Sequence, residues 1–365
     1  MQNGRVKILI AAGGTGGHVF PAIAIADEIK KLQPQTALWF VGTKGKIESR
    51  VVPERGYPLT FIWISGFHRQ LRIENLMFPA KVFVSLVQSF FLMKRVHPDI
   101  VIGTGGYVCG PVLFAASLLG IPTVVHESNS FPGITTRMLS TRTTKIFTAF
   151  EATARWLKRK DNIELAGTPT RDVLGSVTRE EGIRFFHLDP SKKTVLVFGG
   201  SLGAASINRA VKKEVNENMD STLQWIWQTG RTEAAVAKEM SGLKNCWVGP
   251  FIDKMEYAYA AADVVVCRAG ATTLAELTRL GKASVLVPYP FAAADHQTFN
   301  ARTMVEAGAA VLIADRDVNA KLKTEVHALL IDDMKRQQMC AASRALGKPN
   351  AGREIAQRIL EMAAS

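Results

Sequence analysis

Short apolar runs alternate along the chain with longer stretches in which apolar positions recur every three or four residues. Val6–Ala12, Ala37–Val41, Ile100–Ile102, Thr123–Val125 and Lys145–Thr148 read as buried strands, separated by helical patterns such as Ala22–Leu32 and Pro111–Leu119. After Ala166-Gly167-Thr168-Pro169 the pattern restarts. Thr194–Phe198 reads as a strand, Gly199–Gly203 as a glycine loop and Ala204 onward as a helix. Further strands follow at Gln224–Gln228, Cys246–Val248, Val264–Cys267, Ser284–Val287 and Ala310–Ile313. Strands alternating with helices at this rhythm predict parallel, doubly wound sheets, and the restart predicts two of them. The expected fold class is α/β, with two Rossmann-like doubly wound parallel-sheet domains facing across a cleft, at 1–164 and 165–344. Ala351–Ala364 places Ile355, Ile359 and Met362 on one helical face, and the segment 345–365 is expected to pack back on the first domain.

Open α/β sheets bind ligands beyond the carboxyl ends of their strands, so the loops there carry the chemistry. The first strand runs into Gly13-Gly14-Thr15-Gly16-Gly17-His18-Val19-Phe20-Pro21. Glycines let backbone N–H groups approach a ligand closely, and a helix N-terminus favours negative charge. Pro21 is expected in the first helical turn, where no N–H partner is needed. A second cluster, Gly103-Thr104-Gly105-Gly106-Tyr107-Val108-Cys109-Gly110-Pro111, follows the strand at Ile100, and Gly199-Gly200-Ser201 is a third. A nicotinamide-binding site is disfavoured. The spacing is not G-x-G-x-x-G, and the strand ending at Val41 continues into Gly42-Thr43-Lys44 with no acid placed for a ribose.

Charge sharpens this picture. Residues 1–160 carry 20 Lys or Arg against 8 Asp or Glu, whereas residues 161–365 carry 25 against 24. Nearly all of the formal net charge of +13 therefore lies in the first half, which implies an anionic partner there. No nucleic-acid motif accompanies it. The segment Phe67–Phe83 mixes bulky apolar with basic residues, and Phe83–Met93 is too short to span a bilayer. An exposed apolar patch rimmed by Lys and Arg would dock on anionic membrane. The four cysteines show no C-x-x-C spacing or disulfide framework, which fits a reducing compartment, and no signal-peptide cleavage pattern is present.

In the second half, Asp263–Cys267 delivers the chain to Arg268-Ala269-Gly270-Ala271-Thr272-Thr273, where N–H groups at a helix start can bind a diphosphate. Glu276 lies one turn on, placed to accept from ribose hydroxyls, and Asp295-His296-Gln297 supplies an amide beside the same cleft.

Together these motifs resemble those of the MurG family, the UDP-N-acetylglucosamine:undecaprenyl-pyrophosphoryl-MurNAc-pentapeptide N-acetylglucosaminyltransferases of peptidoglycan synthesis. The resemblance runs from end to end, through GGTGGHVFP, GTGGYVCGP, HESN at His126–Asn129, AGTPTR at Ala166–Arg171, FGGSLGA, FID at Phe251–Asp253, CRAGATTLAE and DHQTFNA. It implies the GT-B fold and inverting transfer of GlcNAc from UDP-GlcNAc to the MurNAc 4-hydroxyl of lipid I, giving lipid II. It also implies that Thr15, Gly16, Gly17 and Asn129 meet the donor, and that Arg171 and Ser201 approach its diphosphate or sugar. The Ile252 backbone would read uracil. Ala271, Thr272, Thr273, Leu274, Ala275 and Glu276 would carry phosphate and ribose, and Gln297 the GlcNAc hydroxyls. Gly14, Gly105, Gly106 and Tyr107 are candidates for the acceptor diphosphate. Two positions depart from the family pattern, Ser128 and the residue before Gln297, where glutamine is common.

His18, largely neutral at pH 7, is the candidate general base, with His126 and Glu127 second. No cofactor or metal is expected, and Asp315-Arg316-Asp317 reads as a solvated turn. The expected partners are UDP-GlcNAc, lipid I, the anionic inner-membrane surface and other cell-wall synthesis proteins, not nucleic acid. The resemblance implies a peripheral position on the cytoplasmic face of the bacterial inner membrane. Two other readings stay open, a related UDP-sugar transferase acting on a diacylglycerol lipid and a non-catalytic nucleotide-sugar binding module.

Overall fold

The computed structural model describes residues 5–66, 76–217 and 222–364. The chain forms two compact units, residues 1–170 with 349–365, and residues 171–348.

The first unit runs β1 (Lys7–Ala11), α1 (Gly16–Leu32), β2 (Ala37–Gly42), α2 (Glu48–Glu54), β3 (Leu59–Phe61), α3 (Phe78–Val96), β4 (Ile100–Gly103), α4 (Cys109–Leu118), β5 (Thr123–Glu127), α5 (Ile134–Leu139), β6 (Lys145–Thr148) and β7 (Ile163–Leu165). Its seven strands are all parallel, in the order β3-β2-β1-β4-β5-β6-β7. Alternation along β1 explains how both faces are covered. Ile8 and Ile10 pack with Val19, Ile25 and Ile29 of α1, while Leu9 and Ala11 pack with Val112 and Leu113 of α4. Strand order reverses between β1 and β4, whose register pairs Ala11 with Gly103, so both glycine loops leave the sheet at one level.

The second unit repeats the plan with α6 (Arg179–Phe185), β8 (Lys193–Phe198), α7 (Ala205–Glu217), β9 (Leu223–Gln228), α8 (Ala234–Glu239), β10 (Cys246–Gly249), α9 (Met255–Ala261), β11 (Val264–Cys267), α10 (Ala271–Leu280), β12 (Ala283–Leu286), α11 (His296–Glu306), β13 (Val311–Leu312), α12 (Val318–Ile331) and α13 (Asp333–Ala345). Its parallel order is β10-β9-β8-β11-β12-β13, with Cys267 level with Phe198 at the reversal between β8 and β11. The closing helix α14 (Ala351–Ala364) belongs to the first unit, where Ile355, Ala356 and Ile359 join the cluster around Ile8 and Val19.

Several expectations need correction. The helix after the first glycine loop starts at Gly16, not Ala22, because the N–H groups of His18 and Val19 already bond the Thr15 carbonyl at 3.1 and 3.2 Å. Pro21 therefore lies inside α1, beyond the first turn in which it was expected. The boundary between units falls after Thr170 rather than after residue 164. The N–H groups of Ala166 and Gly167 both bond the Thr148 carbonyl at 3.0 Å, holding the chain to β6 that far. The short strands β3 and β7 escape the sequence pattern, being three residues each and partly exposed. The Phe67–Asn75 part of the mixed apolar and basic segment lies outside the described residues.

Candidate active site

In the first unit two glycine loops close on each other around His18. The Gly106 φ is +86°, and a β-carbon there would stand 2.3 Å from the Gly13 carbonyl oxygen. A β-carbon on Gly105 would stand 2.5 Å from His18 Cδ2, so only glycine lets the second loop lie flat on the imidazole. Thr104 Oγ1 ties the loops again by donating to the His18 carbonyl at 2.8 Å.

The ring itself is oriented. His18 Nδ1 stands 3.2 Å from the Gly13 carbonyl and 3.3 Å from Thr15 Oγ1. A carbonyl can only accept, so Nδ1 carries the proton and Nε2 the lone pair that a base needs. Gly16 and Gly17 form the first turn of α1 and Thr15 its N-cap, so their N–H groups lie at the open end of a helix. Tyr107 closes over Gly14, whose β-carbon position is 3.1 Å from the ring, and its hydroxyl is 3.4 Å from Thr43 Oγ1.

His126 and Glu127 play a different part from the one expected. His126 is fully buried at the end of β5, its Nε2 donating to the Gly167 carbonyl at 2.9 Å and its Nδ1 3.3 Å from Ser128 Oγ. Burial lowers its pKa, so it stays neutral. Glu127 accepts from Asn129 N and Nδ2, Gly133 N and Thr136 Oγ1 at 2.7–3.2 Å. Both side chains are occupied in shaping the β5 loop, and that loop in turn fixes Asn129. Ser128, one of the two departures from the family pattern, is thereby the hydroxyl beside the buried histidine.

In the second unit the loops after β8 and β9 converge in the same way. Gly203 and Gly230, with φ of +92° and +90°, pack backbone to backbone, and a β-carbon on Gly203 would lie 2.1 Å from the Thr229 carbonyl oxygen. The Ser201 carbonyl accepts the Arg231 N–H at 3.1 Å. At the start of α10 the Leu274 N–H bonds the Gly270 carbonyl at 3.0 Å, which leaves Ala271, Thr272 and Thr273 as the open N–H end. Leu274 is a fully buried core residue whose N–H is already bonded within the helix, and Ala275 follows it into α10.

Glu276 is held on both oxygens. Oε1 accepts from Arg171 Nε and Nη2 at 3.1 and 3.0 Å, and Oε2 from the buried Tyr259 hydroxyl at 2.9 Å. Three donors on the roughly four lone-pair positions of a carboxylate leave about one for a ribose hydroxyl. The Ile252 N–H is also taken, by Gln228 Oε1 at 2.9 Å, so its carbonyl is the backbone group it can offer a base. Gln297 Oε1 accepts the Tyr289 N–H at 3.0 Å, which leaves its NH2 as a donor.

Three residues that sequence reasoning passed over organise these loops. Glu48 is fully buried and accepts from Gly14 N, Thr43 N and Thr43 Oγ1. Gln228 joins Ile252 to the Gly200 carbonyl. Arg268 donates to Asp315, Ser206 and the Val287 and Pro288 carbonyls. That last set corrects the reading of Asp315-Arg316-Asp317 as a solvated turn, since Asp315 lies 2.5 Å from the guanidinium that precedes the α10 loop. Among the described residues no group of three or more His, Cys, Asp or Glu is arranged to hold a metal.

Comparison with known proteins agrees with this architecture. Residues 8–148 match the glycosyltransferase family 28 N-terminal domain and residues 194–359 its C-terminal domain. A UDP-N-acetylglucosamine–N-acetylmuramyl-(pentapeptide) pyrophosphoryl-undecaprenol N-acetylglucosamine transferase of Prosthecochloris aestuarii is 43% identical over 98% of this chain and 99% of its own. The same-named protein of Flavobacterium psychrophilum is 41% identical over 99% of each. The crystal structure of Acinetobacter baumannii MurG superposes with a TM-score of 0.78 at 27% identity, covering 98% of this chain and all of that one. The chain belongs to glycosyltransferase family 28 and, within it, to the MurG family of N-acetylglucosaminyltransferases.

Proposed function

We propose that this protein transfers GlcNAc from UDP-GlcNAc to the MurNAc 4-hydroxyl of lipid I, with inversion, giving lipid II. Identity of 41–43% over nearly the full length to relatives bearing that name carries the reading. The site chemistry supports it. His18 Nε2 takes the hydroxyl proton as the new glycosidic C–O bond forms; the bond from the anomeric carbon to the diphosphate oxygen breaks, and UDP leaves with the electron pair. The open N–H groups of Ala271–Thr273 and the Arg171 guanidinium meet the diphosphate charge, so the leaving group is stabilised electrostatically without a resident metal or cofactor. Glu276 receives a ribose hydroxyl, the Ile252 carbonyl an N–H of uracil, and the Gln297 NH2 a GlcNAc hydroxyl. Gly14, Gly105, Gly106 and Tyr107 line the acceptor side. Replacement of His18 by Ala in a folded protein is expected to abolish transfer; normal turnover would remove His18 from this role.

The protein works, in this reading, as a peripheral protein on the cytoplasmic face of the bacterial inner membrane, alongside other cell-wall enzymes. Helix α3 supports the membrane part. Its inward face carries Ser85, Ser89 and Met93, whereas Phe83, Val87 and Phe91, four residues apart, are exposed. Lys94 and Arg95 follow on the last turn. An exposed aromatic ridge beside basic residues suits an anionic lipid surface. Among the described residues no helix is long and apolar enough to cross a membrane.

A further inference from the structure

We propose that Glu48 is a positioning residue for His18, acting through the peptide group that joins Gly13 to Gly14. Glu48 Oε2 accepts the Gly14 N–H at 3.1 Å, and the Gly13 carbonyl of that same peptide accepts from His18 Nδ1 at 3.2 Å. Carboxylate, amide and imidazole thus form one hydrogen-bonded chain, in which each bond polarises the next. The amide occupies the place that a carboxylate fills when it orients a histidine directly. Its effect is twofold: it fixes the proton on Nδ1, and it stabilises the imidazolium formed when Nε2 takes a proton.

The surroundings are built for this carboxylate. Glu48 is fully buried, and its other oxygen accepts from Thr43 N at 3.1 Å and Thr43 Oγ1 at 2.7 Å. β-Carbons on Gly13 and Gly42 would stand 2.7 and 2.6 Å from Glu48 atoms, so glycine at both positions makes room for it. Other titratable side chains near these loops include Tyr107, over Gly14, and Cys109, whose thiol donates to the Ala11 carbonyl, is pushed up to about 12 chiefly by burial, and also feels the charge of Glu127. Lys44 and Lys46 precede α2 with exposed side chains. Glu48 is connected to the ring by hydrogen bonds through this one peptide group.

This inference rests on His18 being the base, and the experiment separates the two. In Glu48→Gln the acid limb of the kcat/KM profile, which reports His18 ionisation, is expected to move to lower pH. The plateau is expected to fall about tenfold to a hundredfold, as when carboxylates behind metal-bound histidines are removed. A Glu48 that merely supports the fold would lower the plateau and leave the limb in place, and that result overturns the proposal. Because an NH2 group at this site faces N–H donors, the variant can fail to fold. The imidazole nitrogen NMR signals of the wild-type protein then decide. Protonated Nδ1 in the neutral ring supports the proposal and protonated Nε2 overturns it. If His18→Ala retains turnover, the base assignment fails, while the His18 titration in wild type and Glu48→Gln still reports the coupling on its own.

Discussion

Gln228 accepts the Ile252 N–H on its side-chain oxygen at 2.9 Å and donates its NH2 to the Gly200 carbonyl at 2.9 Å. One buried amide at the end of β9 therefore ties the β8–α7 glycine loop to the segment proposed to read uracil. Gln228→Leu leaves both backbone groups unpaired, at a cost of about 1–3 kcal/mol each if water cannot reach them. The expected outcome is a higher KM for UDP-GlcNAc with kcat less affected, together with a lower denaturant midpoint. An unchanged KM would show that the Ile252 backbone does not depend on this amide.

Gly106 and Gly200 separate steric need from backbone strain. Both have positive φ, +86° and +93°, but a β-carbon on Gly106 meets the Gly13 carbonyl at 2.3 Å whereas nothing lies within 4 Å of one on Gly200. Gly200→Ala is expected to cost only the left-handed penalty, roughly 1–2 kcal/mol. Gly106→Ala must push the two loops apart at His18, and a displacement of about 1 Å there is expected to lower kcat/KM on the order of 100-fold. Steady-state kinetics beside thermal melts of the two variants check the contrast.

Arg268 and Asp315 form a partly buried pair, with side chains 13% and 23% exposed, so the aspartate serves the α10 loop. Asp315→Asn is expected to lower stability by about 1–3 kcal/mol, as a charge-assisted bond becomes a neutral one. Turnover of the wild-type protein is expected to survive a strong chelator. Loss of activity on chelation, restored by a divalent cation, would contradict the metal-free reading.

His126 gives the first unit an acid sensitivity. Its folded-state pKa lies below the ordinary 6.5 because burial disfavours the imidazolium. Below that pH the unfolded chain binds a proton that the native state excludes, so stability falls as pH drops, by up to about 1.4 kcal/mol per pH unit, until the lowered pKa is reached. His126→Asn is expected to be less stable at pH 7.5 yet to lose less on acidification over the unit below 6.5. Urea titrations at both pH values measure the difference.

The α3 ridge is tested by vesicles. Phe83→Ser with Phe91→Ser is expected to weaken binding to anionic vesicles without altering the fold, because both side chains are 64–69% exposed. Raising salt is expected to weaken wild-type binding too. Binding that ignores both changes would place the contact elsewhere.

Much of this was legible in the pattern of apolar runs. The strands Lys145–Thr148 and Val264–Cys267 emerge with the same ends in sequence and structure, the second because it is an apolar run bounded by Asp263 and Arg268. The three glycine clusters mark the loops at the two strand reversals. What stayed hidden is long-range pairing. Glu48 looks like an ordinary first-turn helix acid, and nothing local reveals that Gly14 and Thr43 will both donate to it. Asp315 resembles a surface turn until Arg268, 47 residues earlier, is seen beside it. Glycine's low helix propensity likewise misplaced the start of α1, where the Thr15 carbonyl closes the turn regardless.

The central claim is tested most directly by supplying UDP-GlcNAc to the purified protein with lipid I or with a diacylglycerol acceptor and measuring UDP release and acceptor glycosylation. Stoichiometric UDP release and a β-1,4-linked product with lipid I alone is the predicted result. Transfer to diacylglycerol in preference to lipid I, or binding of UDP-GlcNAc with no transfer to either, would contradict it.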